Sequence, residues 1–121
     1  MAHAGCVMVV DDDADIRESI GDILELRGYQ VRRAANGREA LDRLREGPRP
    51  CVILLDLMMP VMSGTEFYDE MRNDPELADI PVVVISADGN ARRKVQAMGS
   101  EFIAKPVKFD TVLDVVEAHC D

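Results

Sequence analysis

The stretch Cys51-Val52-Ile53-Leu54-Leu55-Asp56, followed at once by Leu57-Met58-Met59-Pro60, is an apolar run that ends on one carboxylate. A run that is apolar throughout reads as a strand covered on both faces, because a half-exposed strand alternates in polarity. Asp56 would then surface where that strand meets a loop. A second run, Cys6 to Val10, ends in Asp11-Asp12-Asp13, and a shorter one, Phe102-Ile103-Ala104, ends in Lys105-Pro106. Val82-Val83-Val84-Ile85 ends in Ser86. If these runs are neighbouring parallel strands, acid, acid, hydroxyl and amine meet at the carboxyl edge of one sheet, where open α/β folds place their ligands.

Working outward, strand-like runs near 6–11, 29–34, 51–56, 81–86 and 101–104 alternate with stretches of helical period. That alternation predicts an α/β protein, a doubly wound five-stranded parallel sheet with helices on both faces. Tyr29-Gln30-Val31-Arg32-Arg33 alternates in polarity and carries charge, which suits a half-exposed edge. The first helix shows Asp15 three residues before Glu18, a capping-box pattern, with Ile16, Ile20, Ile23 and Leu24 on one face and Gly28 as its stop. Asn36 with Glu39 starts the second, which turns Ala40, Leu41 and Leu44 inward and ends at Gly47-Pro48. Ser63 with Glu66 starts the third, with Phe67 and Met71 inward; Gly64 reads as a turn or helix-start residue without chemistry. Asn90 to Met98 makes a weaker fourth helix, ended by Gly99, whose few apolar anchors suit a segment that moves. Phe109, Val112, Leu113 and Val116 stand at helical spacing in a fifth.

At 121 residues, with 47% hydrophobic residues, the chain has room for one domain, 1–121, and none for a second. A formal net charge of -9 argues against direct nucleic-acid binding, which needs clustered Lys and Arg. No apolar stretch approaches the roughly 20 residues of a membrane helix, and the start lacks a secretory pattern, so a soluble cytoplasmic protein is expected. Cys6, Cys51 and Cys120 show no metal-ligand spacing and read as buried thiols behaving as small hydrophobes, with a redox role the lesser alternative.

Carboxylates held about 5 Å apart repel by about 3 kcal/mol per pair at an effective dielectric of 20, so such a cluster calls for a cation. Mg2+ suits it: this ion takes one or two carboxylates, backbone oxygen and waters, and leaves positions open for a phosphate. Asp12 and Asp56 would be direct ligands, the carbonyl of Met58 a third, and Asp11 would act through water; Lys105 adds positive charge and Ser86 a hydroxyl donor. The bland alternative for Asp11 to Asp13 is a solvated turn before a helix. A calcium loop is a sharper rival, since Asp11, Asp13 and Asp15 alternate and Asp22 is twelfth, but it fails on Ile16, where that loop needs Gly.

Taken together, VMVVDDD, VILLDLMMPVMSG, VVVISA and FIAKP, in this order and at these spacings, resemble the receiver domain of two-component response regulators. The resemblance spans essentially the whole chain and implies a flavodoxin-like sheet of order 2-1-3-4-5. It implies that Asp11 and Asp12 hold Mg2+, that Asp56 accepts a phosphoryl group, and that Ser86 and Lys105 contact it. The donor would be a sensor histidine kinase or a phosphotransfer protein, and the chain would catalyse its own modification and hydrolysis rather than act as an enzyme on other substrates. Lys105-Pro106 corresponds to a cis peptide, and Phe102 to an aromatic position that turns inward when the hydroxyl moves. Met58 and Asp88 flank the water route to the acyl phosphate. With nothing after Asp121, output is expected through a downstream protein docking on a surface that includes Arg92, Arg93 and Phe102. Three other readings compete. An Asp-dependent phosphohydrolase of the haloacid dehalogenase type also places Asp-x-Asp after its first strand, yet needs a later acidic pair that is missing. A flavodoxin-like cofactor module would need a phosphate-cradling loop where three Asp stand. A receiver-like interaction module that no longer switches would keep every residue named here.

Overall fold

The computed structural model describes residues 5–59, 61–87, 91–97 and 99–120. Strands β1 (Cys6–Val10), β2 (Gln30–Ala34), β3 (Val52–Asp56), β4 (Val82–Ser86) and β5 (Glu101–Ala104) alternate with helices α1 (Ala14–Leu26), α2 (Gly37–Glu46), α3 (Gly64–Arg72), α4 (Ala91–Ala97) and α5 (Phe109–Cys120). All pairings are parallel, as the alternation of elements predicted, and the order is β2-β1-β3-β4-β5, as the family resemblance implied. β1, β3 and β4 are buried at every position, so their unbroken apolar runs are what a doubly covered strand requires. β2 is the half-exposed edge.

Alternation along each strand divides the core into two layers. Met8, Val10, Ile53, Leu55 and Val84 face α2, α3 and α4 through Leu41, Phe67, Met71 and Val95. Val7, Val9, Leu54, Val83 and Ile103 face α1 and α5 through Ile20, Leu24, Val112 and Val116. Burying each such side chain contributes about 1.5–3 kcal/mol, so both layers are needed to hold the sheet that carries the strand ends.

Helix starts follow local polar chemistry. Ser63 and Glu66 form the expected capping box on α3, and the Asn36 side chain accepts from the Glu39 N–H at 2.9 Å. On α1 the expectation was misplaced by two residues: the cap is Asp13, whose Oδ1 accepts from the N–H groups of Asp15 (2.9 Å) and Ile16 (3.2 Å). A carboxylate directly before the first turn meets two free amides, whereas Asp15 already lies inside the helix. Asp22, the twelfth residue of the calcium-loop alternative, instead pairs with Arg33 of β2 at 3.2 Å. Asn90 and Met98, the expected ends of the fourth helix, lie outside the described residues; within α4, Ala91 and Val95 are the buried anchors.

Phe109 opens α5, as expected, and is 42% exposed, lining a cleft with Ile16 and Val107. One further expectation needs correction. Of the three cysteines, Cys6 is a buried free thiol, but Cys51 and Cys120 form a disulfide. They are 69 positions apart, and their Cα atoms come within 5.3 Å because the start of β3 and the last turn of α5 meet at the amino edge of the sheet.

Candidate functional site

Sheet register alone assembles the site. Val10 pairs with Leu55, Asp56 with Ile85, and Ser86 with Ala104. The residues one step on, Asp11 and Lys105, therefore emerge beside Asp56 and Ser86. The chain runs from β1 outward to β2 and then back across to β3, so the two strands carrying the acids flank the point where the winding reverses and a crevice opens.

Carboxylate oxygens of Asp11, Asp12 and Asp56 lie within 4.8 Å of one another. Asp11 and Asp56 are buried and Asp12 is exposed. An open cavity of about 610 Å3 is lined by Asp12, Asp13, Asp56, Met58, Ser86, Ala87 and Lys105. Lys105 Nζ stands 3.5 Å from Asp11 Oδ2 and 3.8 Å from Asp56 Oδ2. Its backbone N–H donates to the Ser86 carbonyl at 3.0 Å, and the Lys105-Pro106 peptide is cis. The Met58 N–H donates to Asp56 Oδ1 at 3.2 Å. Asp88, expected beside the water route, lies outside the described residues.

Burial, more than any neighbour, pushes the Asp56 carboxyl up to about 6, and the charge of Asp11 adds to the shift. The Met58 amide and the Lys105 ammonium pull the other way without cancelling it. One amine against three acids leaves the pocket with surplus negative charge, and its donors are all hard oxygens. That is the donor set of a Mg2+ site.

Two supporting residues escaped the sequence reading. The Arg17 guanidinium, one turn into α1, donates from Nη1 to the Asp11 carbonyl at 2.8 Å and so pins the backbone between the paired acids and their strand. Gly64 is indeed a helix start, yet a Cβ there would collide with the Asp56 carbonyl oxygen and come within 2.7 Å of Leu57 Cα. Its N–H donates to the Leu57 carbonyl at 3.0 Å, so α3 begins directly on the segment that presents Asp56. The sequence showed only that Ser63-Gly64 starts a helix shortly after Asp56; what made glycine necessary is a contact between backbones.

A doubly wound sheet with a carboxylate trio, a hydroxyl and a lysine at its winding reversal defines an α/β protein with a hard-cation pocket. Comparison with known proteins narrows this class. Residues 7–117 match the response regulator receiver domain, and the chain belongs to that family. It is 34% identical to the polar-differentiation response regulator DivK of Brucella anthropi, over 93% of this chain and 94% of that protein. With the phosphate regulon transcriptional regulatory protein PhoB of Pseudomonas aeruginosa it shares 36% identity over 83% of this chain but 44% of that longer protein. Among solved structures, chemotaxis protein CheY4 of Vibrio cholerae superposes with a TM-score of 0.85 at 30% identity, covering 95% of this chain and 98% of that one. Response regulator TrrA of Thermotoga maritima, solved in complex with Mg(2+)-BeF, gives 0.82 at 30% identity, covering 94% and 97%. The chain is a receiver domain of two-component phosphorelay signalling. Such domains work with histidine kinases and downstream effectors and use Mg2+ at their acidic pocket. Among the described residues no helix is long and apolar enough to cross a membrane.

Proposed function

We propose that Asp56 accepts a phosphoryl group from a phosphohistidine on a sensor histidine kinase or a phosphotransfer protein, and that Asp12, Asp56 and the Met58 carbonyl hold the required Mg2+ directly, with Asp11 acting through water. The observation that carries this reading is the convergence of Asp12, Asp56, Ser86 and Lys105 on one open cavity, with the buried Asp11 carboxylate within 4.8 Å of the other two acids. An Asp56 carboxylate oxygen attacks phosphorus in line, an O–P bond forms, and the donor's P–N bond breaks to release imidazole. Charge then spreads over three equatorial oxygens. Lys105 and Ser86 line the cavity where that charge develops and supply an ammonium and a hydroxyl to it, so the protein catalyses its own modification and, with water as acceptor, its reversal. Bound Mg2+ supplies the remaining charge neutralisation. Met58, 72% exposed at the cavity wall, offers no polar atom in its side chain to orient a hydrolytic water. A cytoplasmic setting belongs to the same reading.

Phosphorylation adds close to two negative charges next to Ser86, drawing its hydroxyl inward. The half-buried Phe102, with the Arg92 guanidinium 4.8 Å above its ring, stands on the strand paired with β4 and follows that shift. Because the buried anchors of α4 among the described residues are the small Ala91 and Val95, a few kcal/mol of differential contact suffices to repopulate its positions. A downstream protein then reads the surface of Arg92, Arg93 and Phe102.

Incubation with a small acyl phosphate and MgCl2, followed by intact-mass analysis, tests the site. One labile phosphoryl group on the native protein and none on Asp56→Asn is the expected result. Equal labelling of both defeats the assignment, and sustained release of phosphate from a simple phosphomonoester supports a hydrolase instead.

A further inference from the structure

The amino edge of the sheet holds a feature that phosphoryl transfer does not use. Cys51 immediately precedes β3 and Cys120 ends α5, and their bond closes a loop containing Asp56, Ser86 and Lys105. Beyond Val116, the last buried anchor of α5, the final turn has two described ties to the sheet: this disulfide and an exposed pairing of His119 Nε2 with Glu101 Oε1 at 2.8 Å. A disulfide at a helix end is reached by local fraying, without global unfolding.

Several details mark the bond as reversible rather than a fixed staple. Gly5 packs against it: a Cβ there would lie 3.0 Å from Cys51 Sγ and 3.1 Å from Cys120 Cβ, so this described neighbour brings backbone and no side chain against the sulfurs. The Cys6 carbonyl oxygen stands 3.2 Å from Cys51 Sγ, ready to accept its S–H once the bond opens. The reduced thiol thus has a partner without rearrangement. Cys6 itself is out of play: strand alternation puts its side chain on the Met8 and Val10 face, while Cys51 packs on the opposite layer, and burial pushes the Cys6 thiol up.

We propose that Cys51–Cys120 is a thiol–disulfide exchange site, through which the surrounding thiol poise sets the order of the C-terminal turn of α5. Two cysteine thiols and one glutathione-type disulfide give the protein disulfide and two small thiols; the reverse reaction consumes two thiols and opens the bond. Where reducing thiols dominate, persistent disulfides are rare, so the site is open there and closes under oxidation. The closed bond fixes the start of β3 to the end of α5, about 17 Å along the strand from Asp56. The device works whether or not Asp56 is phosphorylated.

The test is a titration of the native protein with mixtures of reduced and oxidised glutathione, read by alkylation mass, hydrogen exchange and thermal melting. Opening within the glutathione range should expose two further alkylatable thiols, deprotect the amides after Val116, and lower Tm by roughly 10–20 °C. Cys120→Ser should ignore the poise and behave as the open form, as should Cys51→Ala if the first variant folds poorly; Cys6→Ser should keep the full response. A bond that resists reduced glutathione until the chain is denatured, one that never closes in oxidised glutathione, opening that leaves α5 exchange unchanged, or a response that follows Cys6 would each overturn the proposal.

Discussion

The two ends of the same sheet solve opposite problems. At the carboxyl edge, Asp11 and Asp56 are held together in a buried pocket against electrostatic preference, with Lys105 compensating in part. At the amino edge, a covalent bond, a neighbouring glycine and a hydrogen-bonded contact between His119 and Glu101 close the structure. β3 joins them: its first neighbour is a disulfide sulfur and its last residue is a raised-pKa acid. The difference teaches that the reactive end is a destabilising element tolerated by the fold, and that the opposite end supplies rigidity when its disulfide is closed. Strain of this kind at a working site, offset elsewhere, is a common division of labour.

Weakening the amino edge gives the largest expected effect. Complete reduction, or Cys51→Ala, should lower unfolding free energy by about 4 kcal/mol from loop entropy alone, measured by urea melts with and without a dithiol. A change below about 1 kcal/mol would show that the two ends differ less than argued. Next comes Gly64→Ala, which drives a methyl into the Asp56 carbonyl and should cost up to about 3 kcal/mol, with a steep loss of acyl-phosphate formation. Intact folding and labelling at the native rate would contradict the close approach.

Asp56→Asn should act in the other direction. The fold raises this carboxyl from 3.8 to about 6, so it favours the protonated form; the associated stability is present below pH 4 and is lost as pH rises through about 6. Without divalent cation, the Asn variant should therefore exceed the native protein by up to about 3 kcal/mol at pH 7–8, with the gap closing at pH 4 and shrinking when Mg2+ is added. Melts across pH would expose a flat difference, which contradicts the burial argument. The smallest effect belongs to Val61, a β-branched residue at φ 67° with 81% exposure. Val61→Asn should stabilise by about 1 kcal/mol, because Asn tolerates the left-handed region and no packing is lost. A destabilised variant would mean that the valine makes contacts the geometry does not show.

Periodicity carried the architecture far. Doubly covered strands must be apolar throughout and edge strands must alternate, so Val7 to Val10, Val52 to Leu55 and Tyr29 to Arg33 announced their places without coordinates. Polar strand ends gave Asp11, Asp12, Asp56, Ser86 and Lys105 for the same reason: a charge terminating a buried run has to lie at an edge. The N-cap on α1 was missed because three consecutive Asp offer the same chemistry, and only helix phase selects Asp13.

Local pattern, then, determined the class of fold, the order of elements and the identity of the charged groups, since hydrophobic period and strand-end polarity are properties of neighbours in the chain. Tertiary structure alone decided that Cys51 meets Cys120, that Gly64 has no room for a side chain, that Arg17 holds the Asp11 carbonyl and that Asp56 keeps its proton to about pH 6. Each of these depends on distances between atoms far apart in sequence, or on the water that packing excludes, and neither quantity is encoded in any short stretch of residues.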